Sequence, residues 1–240
     1  MPKPGASLPR KAIARLGTFR YSAIGFLVTL VMLFIASPFV EALPRGDLIE
    51  AVLVTLVMVS AVLAVGGRRR TLIVALLLLS PALVGKWANN ARPDLVPPEV
   101  FQGASMVFFA FVVAQLLRFI LRAPRVDANV LCAGVSGYLM LGLLWVPAYL
   151  LAASAAPPGV DAFAFTVPPG ASHAMKGFNA FYFSFITLTT VGYGDIAPVT
   201  NGARMLAVME AIVGVFYVAV LISRLVAMHS SPPPPREPGS

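Results

Sequence analysis

Thr189-Thr190-Val191-Gly192-Tyr193-Gly194-Asp195 stands between a short apolar run, Asn179 to Leu188, and a long one, Met205 to Met228. The short run has about half of the roughly 20 helical residues needed to cross a hydrocarbon core about 30 Å thick. It reads as a half-membrane helix that ends at the heptapeptide. Successive backbone carbonyls can face one axis only if ordinary and left-handed conformations alternate, and most side chains resist the left-handed step. Gly192 and Gly194 supply that step, and Thr190 adds a hydroxyl oxygen at the inner end of the row. Such a row can replace the hydration shell of a cation that sheds its water. Irregular backbone at membrane depth survives only where it lines a watery cavity or lies buried in protein, so the stretch belongs to a pore or an enclosed core.

Working outward, 58% of the 240 residues are apolar and 12% are charged, outside the range of an ordinary soluble domain. The apolar residues fall into blocks long enough to span a bilayer, placed at Tyr21 to Ser37, Leu48 to Val65, Thr71 to Trp87, Val100 to Leu121, Val130 to Ala153 and Met205 to Met228. Turn and charge signals mark the joints at Pro38 to Asp47, Gly66 to Arg70, Asn89 to Glu99 and Arg122 to Asp127. Each joint is short, so consecutive spans are expected to run antiparallel. Ser154 to Gly177, rich in Ala, Pro and Gly, reads as an extracellular turret that contains His173.

The formal charge of +8 is explained by topology. With the N-terminus in the cytoplasm, the inner segments hold Lys3, Arg10, Lys11, Arg15, Arg20, Arg68, Arg69, Arg70, Arg118, Arg122, Arg125, Arg224 and Arg236. The outer segments keep Arg45, Lys86, Arg92, Lys176 and Arg204. This bias follows the positive-inside rule, puts both termini in the cytoplasm of a multi-pass cell-membrane protein, and argues against a nucleic-acid partner. The first span is read as a span rather than a signal peptide, since no small-x-small cleavage site stands before Pro38. The lone cysteine, Cys132, lies within the fifth span and reads as a small buried apolar residue.

The heptapeptide Thr189 to Asp195, in its setting between two spans and after a half-helix, resembles the selectivity filter of tetrameric pore-loop potassium channels. That resemblance, rather than spacing alone, implies the ion sites: the carbonyls of Thr190, Val191, Gly192 and Tyr193 with the Thr190 hydroxyl, and Gly194 completing the strand. It implies a homotetramer in a lipid bilayer, one filter strand per chain, permeant K⁺ with no cofactor, and passive permeation rather than enzyme chemistry. It further implies supporting roles for Thr189, for Asp195 just outside the filter, and for Thr187, which would reach the Tyr193 hydroxyl of a neighbouring subunit. A hydroxyl bonded to its own helix is the alternative for Thr187. The chain departs from bacterial two-span relatives in having Ile186 where they carry a glutamate, and Tyr182 and Phe183 where many carry a tryptophan pair. Tyr182 retains a hydroxyl for Asp195; Phe183 cannot form such a bond.

In the last span, Gly214 occupies the place of a gating hinge, or else permits close helix packing. Val218, Ile222 and Val226 recur every fourth residue and form either an inner constriction that gates by dewetting or an ordinary packing stripe. Glu210 is an intramembrane acid; it either braces the pore helix from behind or snorkels to the outer interface. Six spans with a terminal pore invite comparison with voltage-gated channels, but Arg118, Arg122 and Arg125 crowd one end of the fourth span, and spans two and three offer only Glu50 as a counter-charge. A weakly voltage-dependent potassium channel is therefore expected, with a voltage-gated channel or a non-conducting regulatory subunit as alternatives.

The expected fold is an all-α integral membrane protein of six transmembrane helices, with a re-entrant pore helix and filter between the fifth and sixth. Its parts are a basic N-terminus (1–20), a four-helix peripheral bundle (21–121), a pore domain (130–228) and a disordered Pro-rich tail (229–240). No soluble regulatory domain is expected within the chain.

Overall fold

The computed structural model describes residues 10–40, 43–67, 69–92, 97–157, 159–166 and 174–229. His173 with the rest of turret segment 167–173, and the tail from 230 on, lie outside the described residues. Helices α1 (Arg10–Val40), α2 (Gly46–Val65), α3 (Arg69–Ala91), α4 (Pro98–Arg122) and α5 (Ala128–Ser154) precede a short strand, β1 (Phe163–Phe165). The short helix α6 (Gly177–Leu188), strand β2 (Ile196–Pro198) and helix α7 (Asn201–His229) complete the chain. Six of these helices are long and apolar enough to cross a membrane, and α6 is not.

Every span is longer than its apolar block, because apolarity marks only the part inside hydrocarbon whereas helical hydrogen bonding continues until a cap or proline stops it. The largest difference is in α1. The segment 10–20, set apart in the sequence as a basic N-terminus, is helical and continuous with the first span. Its Arg, Lys, Ala and Leu residues are strong helix formers. Proline does not interrupt α1 at Pro38, α3 at Pro81 or α5 at Pro147. At Pro81 the carbonyl of Leu77 loses its backbone donor, and the Ser80 hydroxyl donates to that carbonyl at 3.2 Å instead. The α4–α5 joint is sharp: Ala123 and Pro124 end α4, and Asp127 caps α5 by accepting from the Val130 amide at 2.9 Å.

Helix α5 is the hub. It packs against α4, α1, α6 and α7. Helix α1 also reaches the short helix, for the Phe34 ring meets Phe181 and Phe185 of α6 edge-on with centroids 4.8 and 4.6 Å apart. One structure lies outside the all-helical expectation. Strands β1 and β2 pair antiparallel, Phe163 opposite Pro198 and Phe165 opposite Ile196. The 154–177 segment is thereby tied to the residues just past the heptapeptide.

Candidate functional site

The site begins at the last turn of α6, whose final carbonyls need partners outside the helix. Phe185 O accepts from the Thr189 amide at 3.1 Å and the Thr189 hydroxyl at 2.6 Å. Ile186 O accepts from the amides of Val191 and Gly192 at 2.9 and 3.1 Å, and Thr187 O from the Thr190 amide at 2.9 Å. Leu188 O receives a longer contact, 3.4 Å, from the Tyr138 hydroxyl of α5. The heptapeptide is thus folded directly onto the end of the short helix.

Left-handed φ values then occur at every second residue: Thr190 at 59°, Gly192 at 51° and Gly194 at 81°. The glycines were legible in the sequence as the residues that permit this conformation. Thr190 was not, because a β-branched residue resists it; among the described residues it is the only non-glycine with positive φ. Only surrounding structure holds such a residue there, and here its amide is held by Thr187 O. Added side chains at Gly192 and Gly194 would meet open space, so glycine is required there by the backbone and not by crowding within the chain.

The outer end is clamped as well. Asp195 accepts from the Tyr182 hydroxyl at 2.8 Å and, through its backbone carbonyl, from the Thr166 amide at 2.7 Å. The second carboxylate oxygen of Asp195 is buried without a partner among the described residues. The ladder between β1 and β2 continues this clamp beyond the filter.

Behind the short helix, Glu210 of α7 is fully buried. One carboxylate oxygen lies 2.6 Å from the Ser184 hydroxyl of α6 and the other accepts from the Tyr149 hydroxyl of α5. Three helices therefore meet at one acid, which does not snorkel. Tyr149 also interacts with Thr187 and packs edge-on against Phe183 and Phe163, with centroids 4.8 and 5.8 Å apart. The sequence reading missed Tyr149, Ser184 and the Phe163 strand. A serine set among the aromatic rings of α6 was the available signal for Ser184, whereas nothing local marked the other two.

Gly214 packs against the end of α6: a side chain there would fall 2.7 Å from Leu188 O. Helix α7 continues unbroken through this position. Val218, Ile222 and Val226 stand exposed on the chain, as do Val191 and Tyr193, the latter at 74%. Heptapeptide and stripe are thus surfaces of a single chain, whereas Glu210, Ser184 and Tyr149 are interior to it.

Residues 159–230, which include the heptapeptide and its supports, match the family model described as "Ion channel". This part of the chain is therefore similar to ion channels. Over 92 residues it is 34% identical to two pore potassium channel b of Oryza sativa subsp. japonica, covering 38% of this chain and 24% of that protein. Over 54 residues it is 44% identical to voltage-gated potassium channel Kch of Escherichia coli (strain K12), covering 19% and 13%. A hyperpolarization-activated voltage-gated potassium channel of Methanocaldococcus jannaschii is 38% identical over 60 residues, covering 25% and 27%. The pore thus matches only 13% to 27% of the length of these relatives. No solved structure matches the chain. Family and relatives are ion channels, which are not enzymes.

Proposed function

We propose that this chain is one subunit of a homotetrameric potassium channel that conducts K⁺ passively across the cell membrane. The observation that carries the reading is the left-handed backbone at Thr190, Gly192 and Gly194, in a segment whose sequence matches a K⁺ filter. Ion sites at the carbonyls of Thr190, Val191, Gly192 and Tyr193 and at the Thr190 hydroxyl follow from it. Four-fold assembly is supported by exposure of the filter and of most of α7 on the single chain: only 17% of the α7 window is buried. A hinge at Gly214 and an inner constriction at Val218, Ile222 and Val226 belong to the same proposal, as do cytoplasmic termini. Thr187 meeting a neighbour's Tyr193 also belongs to it.

Glu210 acts as a neutral brace. Ser184 has one proton, yet its oxygen lies 2.6 Å from Glu210 and 2.8 Å from Gly142 O, both acceptors if the acid is ionised. A protonated Glu210 donating to Ser184, which donates to Gly142 O, gives each group a full bond. Weak voltage dependence is supported by the exposed Arg118, Arg122 and Arg125 at one end of α4, and by Glu50 being paired with Lys86 at 3.2 Å.

The test is reconstitution of the purified chain in liposomes with unequal K⁺ and Na⁺. Reversal near the K⁺ equilibrium potential is expected, and Gly192→Ala is expected to abolish selectivity or current. Reversal near the Na⁺ value, absence of flux from the chain alone, or unchanged permeation in Gly192→Ala would sink the reading.

A further inference from the structure

A cavity of about 100 Å³ lies inside the helical assembly, its wall supplied by α1, α2, α3 and α4 together with α5. Most of the lining is apolar, with Val54, Phe109 and Val146 among it. Three polar features interrupt it. The side-chain oxygen of Gln102 is buried with no hydrogen-bond partner among the described residues. Pro147 has no amide to offer the Leu143 carbonyl one turn earlier, so a second acceptor in the lining lacks its usual helical donor. Glu50 and Lys86 pair at 3.2 Å and are partly exposed. The hydroxyl in the lining is already committed, for Ser105 donates to the Phe101 carbonyl at 2.7 Å.

Buried acceptors are ordinarily paired, so an occupant that brings a donor would complete this wall. Size narrows the choice. An apolar cavity of about 150 Å³ holds benzene, so one of about 100 Å³ takes roughly four or five non-hydrogen atoms, far fewer than a lipid has. Water brings donors, but each molecule needs about two to four polar partners, more than this lining offers to the roughly three waters the volume admits. A hydroxyl on three or four carbons meets both demands, and being uncharged it leaves the Glu50–Lys86 pair intact. We propose that this cavity is a binding site for a short-chain aliphatic alcohol, its hydroxyl donating to the Gln102 side-chain oxygen and its carbons lying against Val54 and Val146. The occupant would bridge the four-helix bundle and α5. The inference rests on the packing of α1 to α5 and not on K⁺ conduction.

Photolabelling of the purified full chain with a diazirine derivative of butanol tests it, the labelled peptides being located by mass spectrometry. Labelling of the α4 and α5 segments that line the cavity should saturate, and excess n-butanol should displace the probe. Chlorobutane, similar in size but without a hydroxyl, should displace it about two- to tenfold less well, the worth of one hydrogen bond. Gln102→Leu, close to glutamine in volume, should weaken labelling by the same factor, and Val54→Phe should fill the cavity and abolish it. Leu77→Phe, at a 68% exposed position of α3 outside the lining, should leave labelling unchanged. Should Val54→Phe misfold, Gln102→Leu carries the test. Equal displacement by chlorobutane, or unchanged labelling in Gln102→Leu, would remove the role of the hydroxyl and overturn the proposal. Labelling that never saturates, or that falls equally in Leu77→Phe, would reduce the effect to partition into the apolar phase and overturn the site. The label is read without ion flux, so its outcome is separate from that of the channel reading.

Discussion

Helices α5 and α7 flank the same short helix and have spans of the same length, 27 residues, yet 61% of the α5 window is buried in the chain and only 17% of that of α7. Helix α5 has neighbours on both sides within its own subunit. Helix α7 touches its subunit along a narrow line through Ala203, Glu210, Gly214 and Tyr217, and leaves Ile212, Val215 and Phe216 uncovered. An apolar face is ordinary where lipid covers it, so exposure alone does not mark an interface. The difference becomes informative because the filter strand, which no lipid can cover, is exposed on the chain as well. On the proposed reading, one helix serves the subunit and the other is left for the assembly.

The contrast can be broken most severely at the acid that fastens α7 inward. Glu210→Ala strands the buried Tyr149 hydroxyl, leaves Ser184 with Gly142 O, and empties a fully buried position. At about 1–3 kcal/mol for the stranded hydroxyl and about 2–5 kcal/mol for the cavity, roughly 3–8 kcal/mol per subunit should be lost, seen as a large drop in the thermal midpoint of the detergent-solubilised protein. Glu210→Gln keeps a neutral donor and acceptor and should remain near the parent; an equally deep loss there would refute the neutral brace.

Next in size is a paired truncation. Met140→Ala empties a fully buried position on α5 and should cost about 2–5 kcal/mol in the chain itself. Phe216→Ala on α7, where the ring is 65% exposed, should leave the fold of the subunit intact and shift material from tetramer to smaller species in sedimentation. If Phe216→Ala destabilises the isolated subunit as much as Met140→Ala does, the division between the helices fails.

Gly214→Ala sharpens the comparison at the line of contact. Its methyl would press on a backbone carbonyl, costing about 1–3 kcal/mol, and should lower tetramer stability together with K⁺ flux. A hinge without a packing role would instead give a stable tetramer with impaired opening. Smallest of all is Lys86→Ala, which removes a partly exposed ion pair between α3 and α2. Its effect should be about 0–1 kcal/mol by thermal unfolding, and a larger one would mean that the bundle stabilises the pore through this pair.

Much of this was legible in one dimension. Apolar run lengths located all six spans, and the two glycines of the heptapeptide announced a left-handed alternation before any coordinate did. The pairing of Tyr182 with Asp195 was readable through the resemblance, in which Tyr182 stands where many relatives carry a tryptophan. Other elements carried no local signal. Ser184 sits 26 residues from Glu210, and Tyr149 sits 61 residues from it. Their meeting depends on how α5, α6 and α7 pack, which no run length encodes. The β1–β2 pairing was hidden by a turret whose Ala, Pro and Gly content argues for no regular structure.

By itself, then, the sequence determined the solvent, the number of spans and the residues able to form a filter, because these follow from the apolarity and backbone freedom of neighbours in the chain. Only the tertiary structure decided that Thr190 joins the left-handed alternation, that Glu210 is an interior tie between three helices, and that Gly214 is a point of close approach. Each of these depends on contacts between segments remote in sequence, and such contacts exist only once the helices have packed.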